Sequence, residues 1–220
     1  VKRAWWTQHR TSAWGKGTLA RVCLVTLCIL VAGCAPRSLE EMLGVKPRNL
    51  TGEEFAAINQ PGTSHELLAS FVGDWNVDVI SWSSPDANPE RSSARSRADW
   101  ILGYRYVREK YKGLGIGPRY EGLGFLGYDA GARVYTSVWM DSLNTSIATS
   151  KGTFNPETAT FALRGDVYDP LLGRPKETRT LIQIISKDSY KVTLVDRTAR
   201  GKDFKSLELT YTRSLDIEKK

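Results

Sequence analysis

Seven carboxylates stand within strand-like segments of this chain: Asp99, Glu109, Glu121, Asp141, Asp166, Glu177 and Asp196. Carboxyl groups act as general acids or bases when burial or a second carboxylate holds one of them protonated, and a working pair lies within roughly 5–10 Å. These seven are dispersed over many segments, and no spacing along the chain brings two of them together. Asp141 is the most suggestive, because it ends an aromatic-bearing run and is followed by Ser142. The pair suits a ligand contact, but it equally suits the capping of a turn, the commoner use of Asp and Ser.

Histidine and cysteine chemistry is limited by inventory. The histidines are His9 and His65 and the cysteines Cys23, Cys28 and Cys34. All of these except His65 fall in, or at the end of, a leader-like N-terminal stretch, so a Ser-His-Asp triad or a His/Cys zinc site is not easily assembled in the remainder. His65 opens a short helix and reads as structural, with a ring nitrogen bonding a loop carbonyl or a neighbouring carboxylate. Its functional alternative is a lone general base at the mouth of a barrel. No catalytic residue, metal ligand or cofactor is assigned.

One motif invites a cofactor. Gly122-Leu-Gly124-Phe-Leu-Gly127 matches Gly-x-Gly-x-x-Gly, and Asp141 follows near the distance of a ribose-binding acid. That fingerprint needs a helix to start in the glycines so that its amides meet the pyrophosphate. Here Tyr128-Asp129-Ala130-Gly131 makes a turn and the next run alternates as a strand, so the glycines read as points of bending or of close approach by a neighbour or ligand.

Residues 1–33 contain Lys2, Arg3, Arg10, Lys16 and Arg21, no acidic residue, and the apolar run from Val22 to Ala32. This is the layout of a signal peptide and is too short to span a bilayer comfortably. Its end, Val31-Ala32-Gly33-Cys34, resembles the lipobox of bacterial lipoproteins and implies diacylglycerol on Cys34. By resemblance to sorted lipoproteins, Ala35 after that cysteine implies lipid anchoring at the outer membrane, on its periplasmic face. Removing the leader takes the formal charge from +7 to about +2, which excludes the basic stripe that nucleic-acid binding requires. Residues 34–60 are polar and proline-punctuated and read as a tether with one or two helical turns, Thr51 with Glu53 and Glu54 suiting a helix start.

From Pro61-Gly62 the chain reads as a domain, residues 61–214, with residues 215–220 as a tail. Ser64 is placed to cap a short plug helix in which Leu67, Leu68 and Phe71 crowd one side, with Gly73 ending it. After Trp75 the pattern has period two, giving about ten strands near 75–82, 92–102, 104–112, 119–128, 133–140, 145–154, 159–168, 176–186, 189–197 and 203–213. Turn chemistry separates them, and no helix-length amphipathic segment interrupts. Sequential antiparallel strands leave two open edges unless the sheet closes, so the expected fold is an all-β up-and-down barrel, with a β-sandwich as the alternative.

Two resemblances follow from these residues. The short helix leading into Gly73-x-Trp75 resembles the entry to calycin barrels, the lipocalins and fatty-acid-binding proteins. That resemblance implies Trp75 packing under an arginine of the final strand, here Arg213. Pro61-Gly62-x-x-His65-x-x-Leu68 with Gly73-x-Trp75, then Gly122–Asp129, Trp139-Met-Asp141-Ser142, Gly152 and Tyr211-Thr-Arg213, resembles a bacterial family known as domain of unknown function 1579. It implies a fold and an envelope setting, with no activity to carry over.

The barrel interior is expected to hold a small apolar or amphipathic molecule, with Trp100, Tyr106, Trp139 and Asp141 among the contacts. Arg179, which alternates with Leu181, Gln183 and Ile185, would offer charge to an acidic head group if that face points inward. The alternatives are an enzyme acting at the barrel mouth through Asp141 or His65, and a structural or lipid-carrying lipoprotein.

Overall fold

The computed structural model describes residues 46, 48–114, 119–169, 173–198 and 200–215. The leader, Cys34, most of the tether and residues 216–220 of the tail lie outside the described residues. A compact unit begins at Thr51. Helix α1 (Gly52–Ile58) is capped by Thr51, whose hydroxyl accepts from the Glu54 amide while the Glu54 carboxylate accepts from the Thr51 amide, satisfying two amides left bare at the helix start. Helix α2 (Thr63–Glu66) runs directly into a 3-10 turn, Leu67–Phe71. Its cap is Gly62, not Ser64, because the His65 imidazole turns back to accept the Gly62 amide.

Ten antiparallel strands follow: β1 (Gly73–Ser81), β2 (Glu90–Ile101), β3 (Tyr106–Gly113), β4 (Glu121–Asp129), β5 (Val134–Asp141), β6 (Ala148–Asn155), β7 (Thr160–Asp169), β8 (Arg174–Ser186), β9 (Ser189–Arg197) and β10 (Asp203–Arg213). Each pairs with its neighbour in sequence, and β1 pairs with β10, so the sheet is a closed barrel and not a sandwich. Closure leaves no edge to protect. Strand β3 starts at Tyr106 and not at 104, because Leu102, Gly103 and Tyr104 all take positive φ and turn the β2–β3 hairpin.

Period-two alternation becomes an inner and an outer face. Along β1 and β2 the inner positions are Trp75, Val77 and Ala94, Ser96, Ala98. Across the barrel they continue with Val107, Tyr111, Tyr135, Phe161, Leu163, Ile182, Tyr190 and Tyr211, all buried. Taking a large apolar side chain of this kind out of water stabilises the fold by about 1.5–3 kcal/mol.

One end of the barrel is plugged. Leu68 and Phe71 of the 3-10 turn are buried there, and the Phe71 ring meets Phe161 at 5.5 Å and Tyr190 at 5.0 Å between centroids. Tyr135 Oη donates to the Ser64 carbonyl, and Trp75 Nε1 donates to the Phe71 carbonyl at 2.9 Å, tying the plug to two strands. Arg105, in the hairpin at the same end, donates to the Asn59 carbonyl just after α1. At the opposite end no described helix covers the strand termini.

Candidate functional site

Within the barrel lies a cavity of about 70 Å³. Phe71 of the plug forms its floor, and Val107, Leu126, Ile182 and Val192 form apolar walls. Against this lining stands one carboxyl group, Glu109 of β3. It shares the inner face with Val107 and Tyr111, while Arg108 and Lys110 point outward.

Glu109 is held by two hydroxyls from distant parts of the chain. Ser96 Oγ of β2 donates to Oε1 at 2.7 Å, and Tyr211 Oη of β10 donates to the same oxygen at 3.0 Å. The other oxygen, Oε2, has no hydrogen-bond partner among the described residues, yet no buried side-chain oxygen there is left without one, so Oε2 faces the open volume of the cavity. No described lysine, arginine or histidine pairs with it. Burial pushes the carboxyl above its ordinary range, against the opposing pull of the Ser96 and Tyr211 bonds. Tyr190 and Tyr211 stack at 4.1 Å beside it, and burial, with the nearby Glu109, raises both phenols well above their usual value.

Towards the unplugged end the cavity is walled by Trp139 of β5. Its indole lies flat on Gly122 and Gly124 of β4, where an added Cβ would stand 2.3 Å and 3.0 Å from ring atoms. Trp139 Nε1 donates to Tyr120 Oη at 3.2 Å, and Tyr111 meets both rings edge-on at 5.9 Å and 5.7 Å. Burial pushes the Tyr120 hydroxyl up to about 12; the Trp139 bond opposes this and the Asp141 carboxylate adds to it. The glycine motif therefore accommodates aromatic rings on both faces of β4, since Gly127 receives the ring of Tyr106 on the outside.

Of the five side chains expected to contact a ligand, the structure brings Trp139 to the cavity and places the others elsewhere. Trp100 is on the inner face beyond the cavity, edge-on to Tyr104 at 5.7 Å. Tyr106 is on the outer face, because β3 alternates about Val107. Asp141 Oδ1 accepts from the amides of Leu143 and Asn144 and from the Asn144 side chain, which makes it the cap of the β5–β6 turn. Arg179 lies on the outer face, where Asp203 pairs with it. The condition that would have turned it inward is not met, since Thr180, Ile182 and Ile184 take the inner positions of β8.

His65 is buried, with Nδ1 on the Gly62 amide at 3.2 Å, its ring edge-on to Tyr128 at 5.6 Å and a hydrogen bond to the Tyr128 backbone. Burial lowers its pKa and the Arg105 charge adds to this, against the Tyr128 bond. Trp75 and Arg213 are register partners at the plugged end.

Glu109 carried a sequence signal that composition hides: within Val107-Arg108-Glu109-Lys110-Tyr111 it occupies the apolar parity of a strand whose other parity is cationic. Ser96 and Tyr211 carried none that ties them to it.

Fold and site together define a plugged, closed antiparallel barrel of calycin type around a small interior cavity lined by one carboxyl group. The family model described as Protein of unknown function (DUF1579) matches residues 60–213, and the chain belongs to that family. Among solved structures, it is similar in fold to Rv2717c from M. tuberculosis, with 12% identity and a TM-score of 0.54 over 70% of this chain and 99% of that one. S-type phycobiliprotein lyase CPES from Guillardia theta aligns at 15% identity and a TM-score of 0.46, over 82% of this chain and 99% of that one. No curated protein matches the chain.

Proposed function

We propose that this protein is an envelope lipoprotein, anchored through Cys34, whose barrel holds a small apolar or amphipathic molecule. The observation that carries the binding reading is the Glu109 carboxyl, set among mostly apolar walls with one oxygen turned to an open cavity. A polar group in an apolar enclosure loses free energy unless it is hydrogen-bonded, so this oxygen is a built-in orientation point for a ligand.

The cavity sets the size. A drug-sized ligand site has roughly 300–1,000 Å³, while one water occupies roughly 30 Å³ in the liquid. At about 70 Å³ the enclosed space takes a head of a few heavy atoms. The unplugged end is bordered by exposed apolar side chains, Leu114, Leu143, Ile147 and Tyr168, in or beside the turns that join the strands there. They suit the apolar remainder of an amphipathic ligand.

The test is native mass spectrometry on protein purified from its own envelope, with titration of delipidated protein by a fluorescent amphiphile. A co-purifying small molecule and saturable quenching that weakens in Trp139→Phe support the reading. Absence of both for every amphiphile tried rejects it. An enzyme is the second reading, and Glu109 favours it over Asp141, whose Oδ1 caps a turn, or His65, whose Nδ1 holds a helix start. Turnover abolished by Glu109→Gln with binding retained would decide for catalysis.

A further inference from the structure

Resting on that reading, we infer that the head of the ligand is a neutral hydrogen-bond acceptor, a carbonyl or hydroxyl group, and that Glu109 holds it by donating a hydrogen bond from Oε2 as a carboxylic acid.

The hydrogen bonds fix which oxygen of the carboxyl carries a proton. Both Ser96 Oγ and Tyr211 Oη donate to Oε1, so Oε1 serves as the accepting oxygen of the carboxyl and its two lone-pair directions are taken. A proton on the carboxyl then sits on Oε2, the oxygen turned to the cavity. No cationic side chain among the described residues compensates an ionised Glu109, and burial favours the neutral form, so the group presented to a ligand is an O–H donor.

The surroundings narrow the acceptor. A carboxylate ligand would bring an unpaired negative charge into a cavity whose nearest polar partners are uncharged. An amine would enter as a cation and would require Glu109 to be ionised. An alcohol can also accept the bond, its own O–H then turning to the Ser137 or Tyr190 hydroxyl, the two hydroxyl-bearing side chains of the lining. A ketone, aldehyde or ester oxygen accepts and leaves no donor behind. The enclosed volume fits a carbonyl with its two substituent carbons, and the rest of the ligand then runs past Trp139 toward the unplugged end.

The experiment uses methyl pentyl ketone, with hexane and hexylamine as the comparison probes, on delipidated full-length protein. The readouts are the dissociation constant and the infrared carbonyl stretch of the bound ketone. The ketone is expected to bind about tenfold more tightly than the alkane, the worth of one net hydrogen bond in an enclosed site. Its stretch is expected at lower frequency than in hydrocarbon solvent. Glu109→Gln keeps an acceptor for Ser96 and Tyr211 and an N–H donor toward the cavity, so it retains both effects, whereas Glu109→Leu loses both. If Glu109→Leu does not fold, the stretch in the wild type and Glu109→Gln decides alone. Ketone and alkane binding equally, with an unshifted stretch, overturns the donor assignment and leaves the cavity reading standing. Preference for hexylamine overturns it by showing Glu109 ionised. No saturable binding of any of the three probes overturns the inference together with the reading on which it rests.

Discussion

The Arg213 guanidinium stands 4.3 Å from the centre of the Trp75 ring, so the last strand of the barrel is fastened over the first. Each of its nitrogens donates one bond: Nε to Asp188 Oδ1 at 3.0 Å, Nη1 to the Val72 carbonyl at 3.0 Å and Nη2 to the Lys187 carbonyl at 2.8 Å. Gly73 is needed beneath it, because a Cβ there would lie 2.3 Å from Nη1, and its φ of +138° disfavours other residues. A cation over an indole contributes about 0.5–2 kcal/mol, more as water is excluded. Trp75→Ala and Arg213→Ala should each destabilise, and the double variant should cost about 1–2 kcal/mol less than their sum in a denaturation cycle. Strict additivity would show that the contact carries no energy.

Gly122→Ala should displace Trp139. The added methyl meets the indole at 2.3 Å, a distance no side chain tolerates, so the ring must leave the wall of β4 and give up its bond to Tyr120. Overpacking of this kind costs about 1–3 kcal/mol. Tryptophan emission should shift to the red, and Trp139→Ala should restore part of the lost stability. An unchanged emission maximum in Gly122→Ala would contradict the packing.

Glu109 makes stability fall as pH rises. Its folded pKa lies above the unfolded one, with burial as the largest cause, so between the two values the native state holds more protons than the unfolded chain. The stabilisation is complete below the unfolded value and is lost as pH climbs through the folded one. Glu109→Gln copies the neutral form. Its unfolding free energy should match the wild type near about pH 4 and exceed it increasingly toward neutral pH. Parallel curves for the two proteins across that range would reject the assignment.

His65 acts in the opposite sense. Its pKa is lowered by burial, so its contribution is complete above the unfolded value of 6.5 and declines as pH falls below it. His65→Ala removes the partner of the Gly62 amide and the edge contact with Tyr128, and should cost about 1–3 kcal/mol at neutral pH. The cost should shrink in acid, which thermal unfolding at a series of pH values measures directly.

Cys34→Ser tests the proposed anchor. Lipid on this residue predicts loss of membrane association in the variant, read by fractionation, because stable anchoring takes more than one acyl chain and the polar tether offers nothing comparable. Retention of the variant in the membrane pellet would place the anchor elsewhere.

The alternation of β3 shows how far local pattern reaches. Val107, Glu109 and Tyr111 share one parity and Arg108 and Lys110 the other, so the sequence by itself determined a strand, its two faces and the company Glu109 keeps. It also determined the turns, the short plug before Gly73-x-Trp75, and, through the absence of helix-length segments, an all-β run of sequential strands, whereas the choice of a closed barrel over a sandwich waited on the pairing of β1 with β10. The strands, turns and plug are period and propensity effects within a few residues.

The convergence of Glu109 with Tyr211, 102 residues away, was decided by tertiary structure alone. Which residues meet inside a barrel depends on strand number, tilt and stagger, and these are properties of the closed sheet, not of any one strand. The same reason separates Asp141 from Glu109: both are acids at inner-face positions, but one ends its strand and folds back to cap a turn, while the other sits mid-strand under the cavity. Arg179 is the mirror case. Its neighbours Leu181 and Ile185 are apolar yet lie outside, because β8 offers apolar residues on both parities and only its pairing with β7 and β9 selects Thr180, Ile182 and Ile184 for the interior.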